Sequence, residues 1–287
     1  MFKEVIMAEN AGFCFGVKRA VDATIDTNNN SRSNIYTFGP LVHNKNVTNF
    51  LQEKGINQVD ISTLNKLSSE DTVIIRSHGV APSVMKLIKD TGTQVIDATC
   101  PYVSVIHKRI KKYYDLGYQI IIVGDEGHPE VIGSNGWCNN SAIITKDGCD
   151  LVISSSNVCL VAQTTEKKAN LEKVKAIISR QCQNVVTFNT ICSATKERQE
   201  SAEETSKIVD AMIVVGSKSS SNTTKLYEIS RKNCENTIFV ENGSEIPQWI
   251  FKNENIKKIG ITAGASTPDW IIEEVLNKIT KYNESCV

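Results

Sequence analysis

Three times along this chain a short apolar run ends, a cysteine follows, and a helix-forming stretch opens just beyond it. Val5-Ile6-Met7 leads to Cys14 and a helical run from Gly16. Ile96-Asp97-Ala98-Thr99 leads to Cys100, and Pro101 opens the next helix. Val185-Val186-Thr187-Phe188 leads to Cys192 and a helix from Ser193. Proline is favoured at the first helical position because its missing N–H would go unpaired there anyway. Cys100 therefore stands at a helix N-terminus, where the backbone dipole favours a thiolate. The cysteines are 86 and 92 residues apart, a near-regular period that points to three related strand–helix units.

Two further columns follow the same period. The next apolar run of each unit ends at Phe38-Gly39, Val123-Gly124 and Val215-Gly216, and a polar residue follows each: His43, His128 and Ser220, at offsets of 29, 28 and 28 from the cysteines. The later strands deliver His78, Thr164 and Ser266, at offsets of 64, 64 and 74. Strands alternating with helices imply right-handed crossovers and parallel sheets covered on both faces, with ligands outside the carboxyl ends of the strands. The expected architecture is α/β: three pseudo-threefold-related domains, a trefoil, around a central cavity. Residues 14–97 form the first domain, 98–188 the second, and 189–287 the third, joined by the N-terminal strand within 1–13.

Composition narrows the function. Lys+Arg and Asp+Glu number 32 each, which argues against a broad nucleic-acid footprint. No apolar run approaches a membrane span and the N-terminus lacks a secretory h-region, so a cytoplasmic protein is expected, with neither membrane nor nucleic acid as partner. Nine cysteines in that compartment, with no C-x-x-C pair, are not a disulfide framework.

Structural zinc sites favour paired C-x₂₋₄-C ligands, because one turn then supplies two of them; none occurs. An iron–sulfur cluster is held by thiolates and accepts one from each of three units. With Cys14, Cys100 and Cys192 as its only protein ligands, one iron of a cubane stays open to a substrate. The other six cysteines, Cys138, Cys149, Cys159, Cys182, Cys234 and Cys286, are expected to be buried small hydrophobes. Around the cluster, His43, His78, His128, Thr164, Ser220, Ser221, Asn222 and Ser266 offer imidazoles, hydroxyls and an amide near helix N-termini, a cup for a doubly phosphorylated anion. His107 falls outside the pattern and reads as core, and Gly216-Ser217-Lys218-Ser219-Ser220 lacks P-loop spacing. Glu130 is the carboxylate best placed to reach the cavity, where burial and a neighbouring dianion would keep it protonated as a proton donor. Its plainer role is a first-turn glutamate favoured by the helix dipole.

The segments AGFCFGVKRA, GPLVHN, RSHGVAP, DATCPYV, GHPEVIG, AQTT, ATKERQ, GSKSSSN and TAGASTPDW, in this order, resemble the LytB family of 4-hydroxy-3-methylbut-2-enyl diphosphate reductases, across nearly the whole chain. The resemblance implies a three-domain α/β trefoil around one four-iron four-sulfur cluster on Cys14, Cys100 and Cys192. It also implies diphosphate ligands at His43, His78, His128, Ser220, Ser221, Asn222 and Ser266, a substrate-contacting threonine at Thr164, and a proton donor at Glu130, with His128 and Thr164 organising the proton path. Ser219 stands where asparagine is common in the family, away from these positions. Some members carry an appended RNA-binding segment; none is expected up to Val287. The implied reaction is reductive dehydroxylation of an allylic diphosphate, the last step of the methylerythritol phosphate route to isopentenyl and dimethylallyl diphosphate, with a ferredoxin or flavodoxin as electron donor. A cluster-bearing sensor without catalysis, and a cluster-dependent hydro-lyase needing no external electrons, are the competing classes. A radical-SAM enzyme is excluded by the lack of C-x-x-x-C-x-x-C.

Overall fold

The computed structural model describes residues 3–149 and 151–285. Twelve strands and ten α-helices lie along these residues, alternating except where β4 follows β3 and β8 follows β7 without an α-helix between them. The first third holds β1 (Glu4–Met7), α1 (Phe15–Asn30), β2 (Ile35–Phe38), α2 (Lys45–Glu53), β3 (Asn57–Val59), β4 (Thr72–Ile75), α3 (Pro82–Asp90) and β5 (Gln94–Asp97). Next come α4 (Pro101–Asp115), β6 (Gln119–Val123), α5 (Pro129–Asn135), β7 (Ile143–Thr145), β8 (Asn157–Ala162), α6 (Lys168–Ile178) and β9 (Asn184–Thr187). The remainder is α7 (Ser193–Ser206), β10 (Ala211–Val215), α8 (Ser221–Asn233), β11 (Thr237–Val240), α9 (Gln248–Lys252), β12 (Lys258–Ala263) and α10 (Asp269–Glu284).

The strands form three four-stranded sheets, ordered β3-β2-β4-β5, β7-β6-β8-β9 and β1-β12-β10-β11, with every pairing parallel. The inner strands are apolar without alternation: Val73-Ile74-Ile75, Ile120 to Val123 and Ala211 to Val215 are all buried. A parallel strand covered by helices on both faces has no solvent side to mark with polar residues.

The chain divides into two compact units. The terminal unit comprises the residues up to Phe15, His43–Val47 and those from Ser193 onward; the middle unit comprises Gly16–Val42 and Thr48–Cys192. The terminal unit contains the β1-β12-β10-β11 sheet, in which the N-terminal strand pairs with β12 in register Val5 to Ile259. The middle unit contains the other two sheets. They meet at the 3-10 turn Gly136–Cys138 that follows α5, where an added Cβ on Gly136 would lie 2.2 Å from that of Ala81. The Trp137 indole N–H donates to the Val80 carbonyl beside it (3.2 Å).

Three readings need correction. The sequence Asn28-Asn29-Asn30-Ser31 reads as a polar break after a helix over 16–27, but residues 28–30 continue α1, because Asn30 Nδ2 and Thr27 Oγ1 turn back to the Asp26 and Ala23 carbonyls and so serve the helix. Strand β3 was not anticipated; three residues, two of them exposed, give no period to read. Among the six cysteines expected to be buried, Cys138, Cys159 and Cys234 are, Cys182 is partly buried, and Cys149 is exposed. The Cys149 Sγ lies 3.0 Å from Asp147 Oδ2 in a polar turn with Lys173, where there is no apolar layer to receive it. Cys286 lies outside the described residues.

Candidate active site

In the middle unit each candidate side chain is placed at a strand exit. Cys100 is the N-cap of α4, with Pro101 first in the helix, and its N–H donates to the Ser77 carbonyl (2.9 Å). The turn before it is fixed twice. The Asp97 carboxylate accepts the Thr99 N–H (2.9 Å) and hydroxyl, and Arg19 Nη2, from α1, donates to the Thr99 carbonyl (2.5 Å). A Cβ on Gly16 would lie 2.6 Å from Cys100 Sγ, so this first turn of α1 must be glycine for the sulfur to keep its place.

Cys192 immediately precedes α7, and its N–H donates to the Thr164 carbonyl (3.0 Å). Thr164 is also bound from the other side. Its N–H donates to Glu130 Oε1 and its hydroxyl to Glu130 Oε2, both at 2.6 Å. Glu130 is 3 % exposed, in the first turn of α5, and its own N–H donates to His128 Nδ1 (3.1 Å). With Nδ1 accepting, a neutral His128 carries its proton on Nε2 and presents a donor there. The His128 and His78 rings meet edge to face, centroids 5.3 Å apart. A continuous path therefore runs from Cys192 through Thr164, Glu130, His128 and His78 to the Ser77 carbonyl and Cys100.

His107 lies beside this path without joining it. It is 4 % exposed, stacks on Trp137 (centroids 5.0 Å, 19°) and leaves no room for a Cβ on Gly79. Burial pulls its pKa down to about 4, against a small opposing effect of Asp97, so it packs as a neutral ring.

The terminal unit holds the rest. The Cys14 N–H donates to the Ala265 carbonyl (3.1 Å), and the neighbouring Ser266 hydroxyl donates to the His43 carbonyl (3.3 Å). Ser220 is the N-cap of α8, its hydroxyl accepting the Thr223 N–H (3.3 Å). Asn222, in the first turn, is 3 % exposed, and neither its Oδ1 nor its Nδ2 has a hydrogen-bond partner. A buried amide left unpaired at both ends is costly, and here it sits at a helix N-terminus, where anions bind. Two residues that the sequence reading missed support these sites. Arg19 braces the Cys100 turn as described. Lys225, 3 % exposed, donates from Nζ to Ser221 Oγ (3.0 Å); it was legible as the residue one turn after Ser221 on the same helical face.

Cys100 and Cys192 thus stand with His78, His128, Glu130 and Thr164 in one unit, and Cys14 with His43, Ser220, Ser221, Asn222 and Ser266 in the other. The family model described as LytB protein matches residues 5–280.

The chain belongs to the LytB family.

Relatives that bear the reductase's name match it over nearly all of its own length. It is 53% identical over 279 residues to the 4-hydroxy-3-methylbut-2-enyl diphosphate reductase of Clostridium perfringens, covering 97% of this chain and 99% of the relative. The reductase of Caldanaerobacter subterraneus is 44% identical, covering 96% of each. Among solved structures, an (E)-4-hydroxy-3-methyl-but-2-enyl diphosphate reductase described as the terminal enzyme of the non-mevalonate pathway is 40% identical. It aligns over 98% of this chain and 100% of its own, at a TM-score of 0.72. The E-1-hydroxy-2-methyl-but-2-enyl-4-diphosphate reductase from Plasmodium falciparum is 28% identical with a TM-score of 0.88, over 96% of this chain and 88% of its own. Among the described residues of this LytB-family chain, no helix is long and apolar enough to cross a membrane.

Proposed function

We propose that this chain is a 4-hydroxy-3-methylbut-2-enyl diphosphate reductase, which removes the substrate's terminal hydroxyl as water with two electrons and two protons, giving isopentenyl and dimethylallyl diphosphate in the cytoplasm. The observation that carries the reading is the pairing of buried Glu130 with Thr164, next to Cys192, in a chain 53% identical to a relative of that name over 99% of the relative's length.

The residues suit a four-iron four-sulfur cluster on Cys14, Cys100 and Cys192, with each α/β third supplying one thiolate. All three lead directly into α-helices, none of the described cysteines is in a disulfide, and Gly16 yields its Cβ space to Cys100 Sγ. When bound, such a cluster supplies the electrons one at a time and a metal vertex without a protein ligand; a ferredoxin- or flavodoxin-type protein is its electron source.

The rest of the chemistry belongs to the side chains. His43, His78 and His128, with Ser220, Ser221, Asn222 and Ser266, hold the diphosphate through imidazole, hydroxyl and amide donors. Anchoring that end positions the hydroxylated carbon at Thr164. A threonine hydroxyl both donates and accepts, so a proton leaving Glu130 passes through Thr164 Oγ1 to the departing oxygen without bulk water. His128 keeps the Glu130 backbone in register by accepting its N–H.

The test is anaerobic purification and a visible spectrum, followed by the hydroxylated allylic diphosphate with dithionite. Iron–sulfur absorption and reductant-dependent formation of both products are expected. A colourless protein holding zinc or nothing would overturn the cluster. Intact absorption without turnover would favour the sensor reading, and turnover without reductant the hydro-lyase.

A further inference from the structure

In each sheet of the middle unit the first strand of the sheet, β2 or β6, is flanked on one side by the next strand in sequence and on the other by the one after that. The crevice between β2 and β4, and that between β6 and β8, is therefore the topological switch point, where open α/β sheets bind ligands. Both crevices are built alike. A glycine ends the first strand, and a side chain from the exit of the opposite strand lies over it. Gly124 faces Gln163 Oε1, 2.8 Å from where a Cβ would stand, and Gly39 faces Arg76 Nη1 at 2.9 Å.

The two differ in how that side chain is satisfied. Gln163 Oε1 accepts the Asp125 N–H (2.9 Å) and its Nε2 donates to Thr165 Oγ1 (2.9 Å). At the matching place in the other sheet, Pro40 follows Gly39 and has no N–H to give. Arg76 takes the position, and its buried Nε has no hydrogen-bond partner. Among the described residues no carboxylate pairs with the guanidinium; burial alone, with no neighbouring charge, holds its pKa below the ordinary value. Arginine does not discharge in proteins, and a half-buried cation without a counter-charge is expensive. It stands two residues before His78 and at the turn that leads to His43.

We infer that Arg76 is a further anion-binding residue, whose guanidinium engages phosphoryl oxygens of the substrate's diphosphate in the β2–β4 crevice. This rests on the proposed function and adds a guanidinium to a cup of imidazoles, hydroxyls and an amide, alongside Lys225 Nζ, which donates to Ser221 Oγ. Planar bidentate donation to a phosphoryl group is what arginine does better than lysine.

The experiment compares wild type with R76Q, which places the Gln163 side chain at the matching site, by calorimetric titration with inorganic pyrophosphate and by steady-state kinetics. Pyrophosphate affinity is expected to fall at least about tenfold and KM to rise by a similar factor, with kcat within about threefold, since the anion contact is made before and during the reaction. R76K recovers part of the loss. Wild-type pyrophosphate affinity in R76Q overturns the inference, as does lost pyrophosphate affinity with an unchanged KM, which would make this a site for free phosphate. If R76Q does not fold, R76M is read by the same two numbers. Failure of the functional reading shows separately, in the wild type's own spectrum and turnover.

Discussion

The Glu130 carboxylate takes two hydrogen bonds from a single residue, the N–H and the hydroxyl of Thr164, each at 2.6 Å. One glutamate oxygen thereby holds the Thr164 backbone and the other its hydroxyl. Replacing Glu130 by Gln keeps the shape and one acceptor but turns an amide N–H toward a donor and removes the exchangeable proton. E130Q is expected to keep its cluster absorption and its affinity for substrate while turning over at least about a hundredfold more slowly. Single-turnover kinetics with reduced protein check this, and wild-type turnover would remove Glu130 from the proton path.

Cys100 is held from three sides, by the Ser77 carbonyl, by the Arg19-braced turn and by the missing side chain of Gly16. C100S should lose most of its cluster iron. G16A should lose iron as well without touching a ligand, because its methyl carbon would stand 2.6 Å from the sulfur, far inside van der Waals contact. Iron analysis of anaerobically purified variants decides both, and full occupancy in C100S would rule out ligation by that thiol.

The strand–helix alternation and the strand exits were legible because the inner strands β4, β6, β8 and β10 are continuous apolar runs, each closed by a turn. The candidate site residues could be singled out because a repeated unit puts chemically similar residues at similar offsets. What escaped lacked such a signal. Strand β3 is three residues long with two exposed, and the end of α1 depends on asparagine and threonine side chains that can cap a helix or continue it. Exposed Cys149 shows that cysteine's usual burial is only an average. Arg19 and Arg76 matter through partners 80 and 37 residues away, Thr99 and Gly39, a relation that only the folded chain displays.

Asn222 buries an amide with neither end paired, so function and stability should part there. N222L has nearly the same outline and removes two buried orphan groups. The ligand-free protein should gain on the order of 1 kcal/mol, read as a higher urea midpoint with an unchanged slope. Pyrophosphate affinity should fall at least about tenfold. A variant that is less stable and binds as well would show that Asn222 serves packing.

His107 links acidity to stability. Its pKa is held down at about 4 by burial, against about 6.5 in an unfolded chain, so between these values the unfolded state binds a proton that the native state refuses. Its contribution is intact above pH 6.5 and is lost as pH falls toward 4, with a limiting slope of about 1.4 kcal/mol per pH unit. H107Q removes the titration. Lowering the pH from 6.5 to 5 should therefore cost the wild type on the order of 1 to 2 kcal/mol more than H107Q. Urea unfolding of both proteins at the two pH values measures the difference directly. Equal losses would mean that the ring accepts its proton inside the fold, beside Trp137 and Gly79, with no penalty from burial.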